Sequence, residues 1–377
     1  MPVRRPASRS RRSPMTAARL VARSVGGIET IVAGEILRSG LGSVTHIGRR
    51  EVRFAPPPAP ADMTGLRTPD DVFVVAARIP DIGRGKDALG ALRALASGPG
   101  CAAALRARAA YGGPERAHGV EVSASFTGKR NFSRYDVEDE VGAALSAALG
   151  LPYHSRRQGE PPPPGYSGWR VTLDGETAAL MARIAERPLH RRAYKREGVP
   201  GTLHPPVAAA MVHLAAPTDG ELVVDPFCGA GTLAAEAARP GVRVRGYDLD
   251  PRALAAARAN TAGMPSVRLE RADAARLPLA DGSADVVLAN PPWGEQVAAR
   301  GRVAARPGAW WAELRRVLRG RAVVLLPDPA ELRTAIGHGL VPVHLRHVSL
   351  SGIHPHIAVL GPGRPALRPR HRAGRGA

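Results

Sequence analysis

The second half of the chain alternates short apolar runs with helical patterns, and this alternation constrains the fold more than any other feature. It begins at about Leu203, where turn residues start to separate the runs at regular intervals. Such a rhythm is typical of a doubly wound parallel sheet with helices on both faces, an α/β architecture. It predicts strands at residues 222–225, 242–247, 267–270, 284–289 and 321–326, and helices at residues 207–216, 232–238 and 251–259.

The first strand of this series leads into a glycine-rich loop, from Asp225 to Thr232. In an open α/β sheet, ligands bind beyond the carboxyl ends of the strands, where the strand order reverses. Gly229 and Gly231 would let the backbone approach a cofactor, and the helix that begins near Thr232 would present free N–H groups. Asp248 ends the next strand, where a carboxylate can accept both hydroxyls of a ribose. The loop alone fits both a nicotinamide cofactor and S-adenosylmethionine.

Two acidic residues favour S-adenosylmethionine over a nicotinamide cofactor. Asp225 stands just before the loop, where its charge would repel a pyrophosphate but attract the ammonium group of a methionine moiety. Asp273 follows the third strand, where its carboxylate can accept a hydrogen bond from an adenine amino group. A helix cap or turn is an equally good interpretation of Asp273 alone.

The tetrapeptide Asn290-Pro291-Pro292-Trp293 follows the fourth strand, beside the predicted cofactor site. The exocyclic amine of guanine or adenine is a weak nucleophile, because its lone pair is delocalised into the ring. Asn290 can accept a hydrogen bond from one amine hydrogen, and the Pro291 carbonyl can accept one from the other. Trp293 offers a face on which a flipped base can stack. A tight turn with a packing tryptophan is the competing interpretation.

We therefore predict that Asn290, Pro291, Pro292 and Trp293 are the catalytic residues of methyl transfer to a nucleobase amine. Alignment of two bound reactants is enough for this chemistry, so neither a metal nor a covalent intermediate is expected.

The first half of the chain lacks the regular alternation and predicts an α+β region. Gly26 and Gly27 separate a strand at residues 18–24 from a helix at residues 28–38. Further strands are expected at residues 44–54, 71–79, 119–125 and 169–173, and further helices at residues 86–96 and 136–149.

The net charge of +20 indicates a polyanionic partner. Half of this charge lies near the termini, since residues 1–14 and residues 361–377 carry five arginines each and no acid. Residues 1–14 are expected to form a disordered basic arm. Between the two halves, Arg191, Arg192, Lys195 and Arg196 are candidates for binding RNA phosphates, although a solvated linker explains them equally well.

Cysteine use and hydropathy indicate the compartment. The two cysteines, Cys101 and Cys228, form no metal-binding pattern and fit a reducing cytoplasm. The apolar runs are shorter than the roughly 18 residues that span a bilayer, so no membrane association is expected.

These motifs resemble those of the THUMP-containing RNA guanine-N2 methyltransferases. The resemblance rests on residues 225–232 (DPFCGAGT), 246–250 (GYDLD) and 290–294 (NPPWG), and more weakly on residues 26–29, 131–141, 169–180 and 189–194. It implies a class I, Rossmann-like methyltransferase domain that follows an N-terminal ferredoxin-like domain and a THUMP domain. Trp293 departs from the family, in which tyrosine or phenylalanine is commoner at this position.

The resemblance also implies a cofactor site, a substrate and a domain order. The cofactor would be S-adenosylmethionine, and the residues that contact it would be Asp225, Phe227, Gly229, Gly231, Thr232, Asp248, Leu249, Asp273, Ala274 and Asn290. The substrate would be a guanine in structured RNA, with tRNA favoured over large-subunit rRNA, and the protein would act as a monomer. The implied divisions are residues 1–14 (basic arm), 15–70 (ferredoxin-like), 71–187 (THUMP), 188–202 (basic linker), 203–362 (methyltransferase) and 363–377 (basic tail).

Two further hypotheses belong to other functional classes. A DNA adenine-N6 methyltransferase would use the same amine chemistry, but the first half contains no recognisable DNA-reading module. A non-catalytic RNA-binding protein could keep the fold, but intact Asn290 and Asp248 disfavour it.

Overall fold

The computed structural model describes residues 19–294, 298–350 and 352–363. These residues form two compact units. The first unit contains the strand Leu20–Arg23 with Ile36–Leu66 and Asp71–Pro188, and the second contains Ser24–Glu35, Arg67–Asp70 and the chain from Leu189 onward. The basic arm predicted at residues 1–14 lies outside the described residues, as does the tail predicted at residues 363–377 except for Gly363.

The first unit is built on a mixed sheet of eight strands in the order β2-β3-β1-β4-β8-β7-β5-β6. The strands are β1 (Leu20–Arg23), β2 (Ser43–Gly48), β3 (Glu51–Ala55), β4 (Asp71–Pro80), β5 (Gly119–Phe126), β6 (Tyr153–His154), β7 (Tyr166–Leu173) and β8 (Thr177–Arg183). The helices are α1 (Glu29–Arg38), whose first turns belong to the second unit, α2 (Gly100–Ala107) and α3 (Arg134–Leu149). Because β1 pairs with β4, the sheet continues across residue 70, where the sequence suggests a domain boundary.

Helix α3 shows how the sequence sets the local structure of this unit. Ser133 caps the helix in a capping box with Asp136, and Val137, Val141 and Leu145 follow at four-residue spacing. All three apolar side chains are completely buried, so the amphipathic helix predicted at residues 136–149 is confirmed.

The single strand predicted at residues 44–54 is wrong. The chain forms a hairpin instead, in which β2 and β3 pair antiparallel around Arg49 and Arg50. Arg50 has a φ of 60°, a left-handed conformation that hairpin turns usually assign to glycine or asparagine. The turn therefore contains no residue type that would have revealed it. The structure also contains α2 and β8, which were not predicted from the sequence.

Two short helices of the first unit, Lys86–Leu95 and Gly100–Tyr111, follow each other with a bend of 60°. Within the described ranges, no single helix is long and apolar enough to cross a membrane, and only the bent pair Lys86–Leu95 and Gly100–Tyr111 meets the requirement jointly. Leu92, Leu95 and Cys101 of this pair are buried in the protein core.

The second unit confirms the predicted Rossmann-like fold class. Its seven strands lie in the order β11-β10-β9-β12-β13-β15-β14. They are β9 (Leu222–Asp225), β10 (Arg243–Asp248), β11 (Val267–Arg271), β12 (Ala284–Ala289), β13 (Leu318–Leu326), β14 (Leu340–His347) and β15 (His356–Pro362). The helices are α4 (Pro205–Ala215), α5 (Thr232–Ala237), α6 (Pro251–Asn260), α7 (Gly301–Ala305), α8 (Ala309–Val317) and α9 (Leu332–Gly337). The strands from β9 to β13 are parallel, whereas β15 runs antiparallel to both β13 and β14.

The strand order reverses between β9 and β12, which are neighbours in the sheet. Every residue of these two strands is buried. Parallel strands that are covered on both faces carry continuous apolar runs, which is why both were visible in the sequence. Their carboxyl ends lead into the glycine-rich loop and into Asn290, so the fold places both motifs at one edge of the sheet.

A segment from the start of the chain completes the second unit. The Ser349 N–H donates to the Gly26 carbonyl at 2.8 Å, and Arg346 Nη1 donates to the Gly27 carbonyl at 2.9 Å. Gly27 has a φ of 100°, and a Cβ at this position would lie 2.1 Å from the His347 carbonyl oxygen. Only glycine fits this close approach, so residues 24–35 are integral to the unit that carries the predicted site.

Candidate active site

The glycine-rich loop between β9 and α5 contains two residues in the left-handed conformation, one on each side of Ala230. Gly229 has a φ of 50° and Gly231 a φ of 78°. An added Cβ at Gly231 would lie 3.1 Å from Ala257 Cβ, whereas at Gly229 the nearest described atom would be the Phe227 carbonyl oxygen at 4.0 Å. Gly231 is therefore required for packing against α6, and Gly229 leaves open space beside the backbone. That space is the cradle in which a cofactor can approach the loop.

Asp248, the predicted ribose-binding residue, is held in place by backbone groups. Its carboxylate accepts a hydrogen bond from the Gly229 N–H at 2.9 Å and another from the Asp250 N–H at 2.8 Å. The Cys228 N–H also donates to the Tyr247 carbonyl at 2.8 Å, which joins the loop to the end of β10. The structure thus brings the loop and Asp248 together, as the sequence predicts. Each carboxylate oxygen keeps a lone pair for a ligand hydroxyl.

Asp225 is a buried carboxyl group with an unpaired oxygen. The residue is 1% exposed, and its Oδ1 accepts from the Phe227 N–H at 3.2 Å. Oδ2 has no hydrogen-bond partner among the described residues. Burial is the main cause that raises the pKa of this carboxyl to about 8; the nearby charge of Asp248 acts in the same direction, and the Phe227 hydrogen bond acts against both. A ligand ammonium group would satisfy the free oxygen and favour the ionised form.

Asp273, the predicted adenine-binding residue, accepts two backbone hydrogen bonds in this structure. Oδ1 accepts from the Ala275 N–H and Oδ2 from the Arg302 N–H, both at 2.9 Å. Gly301, which precedes Arg302, packs so closely that a Cβ there would lie 2.5 Å from Asp273 Oδ2 and 2.6 Å from Leu249 Cδ1. The start of α7 therefore lies against Asp273 and Leu249, two of the residues predicted to contact the cofactor.

The Asn290 to Trp293 segment begins at the carboxyl end of β12, next to the strand that ends in Asp225. Asn290, Pro292 and Trp293 are half-buried, and Pro291 is buried. Asn290 Oδ1 and Trp293 Nε1 are both buried atoms without a hydrogen-bond partner in the described part of the chain. Unpaired buried polar atoms are costly and rare in native proteins. Here they fit a site whose polar partner is the substrate.

Asn260 supports the glycine-rich loop, although it was not among the site residues predicted from the sequence. This residue at the end of α6 is 3% exposed. Its Nδ2 donates to the Ala230 carbonyl at 2.8 Å and to the Glu197 carbonyl at 2.9 Å. Its Oδ1 accepts from the N–H groups of Arg196 and Glu197, at 2.8 and 2.9 Å. The side chain thereby ties the basic linker to the cofactor loop. A polar residue at a buried position of a helix was the available signal.

The four basic residues of the linker separate into two groups. Arg191, Lys195 and Arg196 are exposed, so they stay available as predicted phosphate-binding residues. Arg192 is different, because its side chain is only 7% exposed and its Nε donates to Glu236 at 2.9 Å. It also donates to the carbonyl groups of Leu189 and Arg67. The predicted phosphate contact of Arg192 is therefore corrected to a structural ion pair.

Glu236 is the centre of that buried cluster. Its carboxylate accepts hydrogen bonds from Arg67 at 2.8 Å and from the Tyr194 hydroxyl at 2.7 Å, in addition to Arg192. The Glu236 side chain is 1% exposed, so its charge is compensated entirely by these neighbours. The cluster holds the linker to α5, whose first residue, Thr232, ends the cofactor loop.

The glycine-rich loop also packs against α8, which follows the Asn290 to Trp293 segment in the chain. The Phe227 ring contacts Trp310 of α8 edge to face, with centroids 5.4 Å apart. Thr232, Ala274 and Cys228 are buried in the same unit. Burial raises the pKa of the Cys228 thiol well above its usual range, so it stays protonated and unreactive.

The arrangement has the chemical groups that S-adenosylmethionine requires. Asp225 offers an unpaired carboxylate oxygen to an ammonium group, Gly229 offers open backbone, and Asp248 offers acceptors to ribose hydroxyls. The cofactor would supply an electrophilic methyl group on sulfur.

Comparison with known proteins agrees with this geometry. Residues 192–356 match the family described as RMKL-like, methyltransferase domain (UPF0020). The tRNA (guanine(6)-N2)-methyltransferase of Thermus thermophilus is 33% identical over 348 residues, which are 89% of this chain and 96% of the relative.

Solved structures give the same result. The crystal structure of TrmN from Thermus thermophilus has a TM-score of 0.69 at 30% identity, and the match covers 92% of this chain and 99% of TrmN. The structure of SMU.472 complexed with SAH has a TM-score of 0.67 at 17% identity and covers 93% of this chain and all of that one, which shows the shared fold. Residues 192–356 therefore form an RMKL-like, class I methyltransferase domain, and the chain belongs to the family of S-adenosylmethionine-dependent tRNA guanine-N2 methyltransferases that includes the enzyme of Thermus thermophilus.

Proposed function

We propose that this enzyme transfers a methyl group from S-adenosylmethionine to the exocyclic N2 amine of a guanine in tRNA. The observation that carries the proposal is the unpaired Asn290 Oδ1 at the carboxyl end of β12, beside the strand that ends in Asp225. Similarity over nearly the whole length of a tRNA (guanine(6)-N2)-methyltransferase supports tRNA as the substrate and guanine 6 as the first position to test.

The chemistry follows from the acceptors that surround the predicted amine position. Asn290 Oδ1 would accept a hydrogen bond from one amine hydrogen, and the Pro291 carbonyl, which belongs to a residue without a competing N–H, would accept the other. Two such bonds draw the nitrogen toward tetrahedral geometry, so that its lone pair is localised on the nitrogen and no longer delocalised into the ring. The new N–C bond would form as the S–C bond breaks, and the extra amine proton would leave to water.

Trp293 would hold the base in this position after it leaves the RNA helix. A half-buried indole provides a stacking face, an interaction worth about 1–3 kcal/mol per base. Nε1, which is unpaired among the described residues, would donate to a polar atom of the substrate.

The first unit would bind the RNA outside the active site. We propose that its eight-stranded sheet and helices correspond to the ferredoxin-like and THUMP regions, with the divisions at residues 70 and 187 that the sequence suggests. Arg191, Lys195 and Arg196 would contact phosphates from the linker, since all three side chains are exposed.

Product analysis tests this function against its alternatives. The full-length protein is incubated with labelled S-adenosylmethionine and with unmodified tRNA, large-subunit rRNA fragments or duplex DNA, and the products are digested to nucleosides. We expect N2-methylguanosine from tRNA alone, and mass spectrometry of nuclease fragments should place it at guanine 6. If only the rRNA fragments became labelled, the substrate would be rRNA and not tRNA. Formation of N6-methyladenine in DNA would overturn the assignment of guanine as the methylated base.

A further inference from the structure

Three histidines form a cluster where β14 turns into β15. The rings of His347 and His354 are stacked, with centroids 5.3 Å apart and planes at 18°, and His356 meets His347 edge to face at the same distance. The hairpin that carries them is closed by hydrogen bonds between Val348 and Pro355 and between Leu350 and Ile353. We call His347, His354 and His356 the histidine rim.

The histidine rim lies at the same edge of the sheet as the active site. His356 pairs with Leu326, the last residue of β13, and β13 runs parallel to β12, whose carboxyl end carries Asn290. Two strand spacings separate β12 from β15, which is roughly 10 Å along the edge. The cofactor residues lie on β9, β10 and β11, on the other side of β12. The rim is therefore on the side of Asn290 that the cofactor leaves free.

The rim histidines lack the acidic partners that other histidines of the second unit have. His204 pairs with Asp70 at 2.6 Å and His213 with Glu35 at 3.5 Å. No ion pair to a carboxylate is formed by the rim histidines within the described residues. Apart from its stacking on His347, the His354 ring lies 3.4 Å from the Ser349 hydroxyl through Nδ1. His356 Nδ1 is buried and has no hydrogen-bond partner in the same part of the chain.

Three charged residues on the elements near the histidine rim already form hydrogen bonds with other groups. Asp328, which follows β13, accepts from the Ala330 N–H, and Arg346 donates to the Gly27 carbonyl and to His344. Glu29 on α1 accepts from the Gly27 N–H. Burial and the neighbouring His347 lower the pKa of His356, while Asp328 acts in the opposite direction. Positive charges on adjacent imidazoles repel one another, and a bound anion offsets that repulsion.

We propose that the histidine rim binds a backbone phosphate of the RNA substrate, next to the nucleotide whose base is methylated. This inference rests on the proposed function. Protonated imidazoles supply N–H donors and charge to a phosphate, and the Ser349 hydroxyl adds another donor. Histidine is the side chain whose charge changes between about pH 5 and pH 8, so the contact makes RNA binding depend on pH.

The test is the affinity of the full-length protein for unmodified tRNA at about pH 6 and about pH 8, at constant ionic strength. Wild-type protein should bind about three- to tenfold more tightly at the lower pH. The double variant with His347→Gln and His354→Gln should bind equally at both values, and its salt dependence at the lower pH should fall by about one phosphate contact. His338→Gln is the matched control, because His338 is exposed and lies before β14, at the opposite edge of the sheet.

Two results would overturn the phosphate assignment. One is a double variant whose affinity falls equally at both pH values, which would mean that the rings stack on a base or support the fold. The other is a double variant with the wild-type pH dependence. Both are distinguishable from failure of the proposed function, because N2-methylguanosine formation by the wild-type protein at about pH 8 is measured in the same preparations.

Discussion

At the carboxyl ends of the parallel strands, the predicted cofactor residues and the predicted substrate residues differ in how many of their polar atoms have hydrogen-bond partners. On the cofactor side, Asp248, Asp273 and Asn260 are each held by at least two hydrogen bonds to the backbone. On the substrate side, Asn290, Trp293 and His356 each keep a buried polar atom without a partner among the described residues. The cofactor side is thus preorganised by the fold itself, whereas under the proposed function the unpaired atoms of the substrate side would bond to groups of the RNA.

Asp225 is the exception that sharpens this comparison. It lies on the cofactor side, yet its Oδ2 is unpaired and its carboxyl pKa is raised to about 8. The exception is explained if this oxygen is reserved for the cofactor's ammonium group.

Asp225→Asn should weaken S-adenosylmethionine binding by roughly 100-fold, because a buried charge pair is lost. The same change should stabilise the ligand-free protein by about 1–3 kcal/mol near pH 8, because no carboxylate then needs to be buried unpaired. Calorimetric titration measures the first effect and thermal unfolding the second. Asp219→Asn, which alters an exposed carboxylate of the same unit, is the control for both.

The pH dependence of this stability has a defined sign. In the folded wild-type protein the pKa of Asp225 is about 8, so the carboxyl keeps its proton up to that pH, whereas in the unfolded chain it ionises near the ordinary pKa of 3.8. Between these values the folded state binds the extra proton, so this group lowers the free energy of unfolding as pH rises. The stability gained by Asp225→Asn should therefore grow from about pH 4 to about pH 8 and then level off. A gain that shrinks over this range would contradict the raised pKa.

Asn260→Asp should weaken S-adenosylmethionine binding by about tenfold, because a carboxylate would face the carbonyl oxygens of Ala230 and Glu197. The rate of methyl transfer at saturating cofactor should stay within about twofold of wild type, since Asn260 acts on the loop and not on the reacting atoms. Steady-state kinetics separates KM from kcat. Asn131→Asp, at an exposed position in the first unit, controls for the change in charge. Equal losses in both parameters would contradict a positioning role.

Trp293→Phe should retain most of the activity, whereas Trp293→Ala should lower kcat/KM for tRNA by about 5- to 100-fold, which corresponds to one lost stacking interaction. Cofactor affinity should be unchanged in both variants. An alanine variant with wild-type kcat/KM would show that the indole serves only to pack the turn.

Much of the second unit could be predicted because its parallel strands are buried on both faces. The apolar runs of β9 and β12 are continuous, and each is followed directly by a motif that carries the chemistry. β14 gave no such signal, because it is an edge strand in which most residues are exposed or half-exposed. The hairpin around Arg50 was missed for a related reason, since its turn lacks the residues that normally mark one.

The limits of prediction at the site are set by contacts that are distant in sequence. Arg192 and Arg196 cannot be distinguished by their place in a basic linker. Only the fold shows that Arg192 forms a buried ion pair with Glu236. Asn260 bonds to backbone atoms 30 and 63 residues away, which no sequence pattern encodes. The motif at Asn290 was visible in the sequence because its residues are contiguous and directly follow the buried strand β12.

The most direct test of the account is the behaviour of Asn290→Ala. Single-turnover methyl transfer to tRNA and calorimetric binding of S-adenosylmethionine are measured on the same full-length protein. The account predicts that transfer falls by at least about 100-fold, while cofactor affinity changes by less than about threefold, because Asn290 Oδ1 acts on the substrate amine. Transfer that stays within about threefold of wild type, or that falls only in step with cofactor affinity, would contradict it.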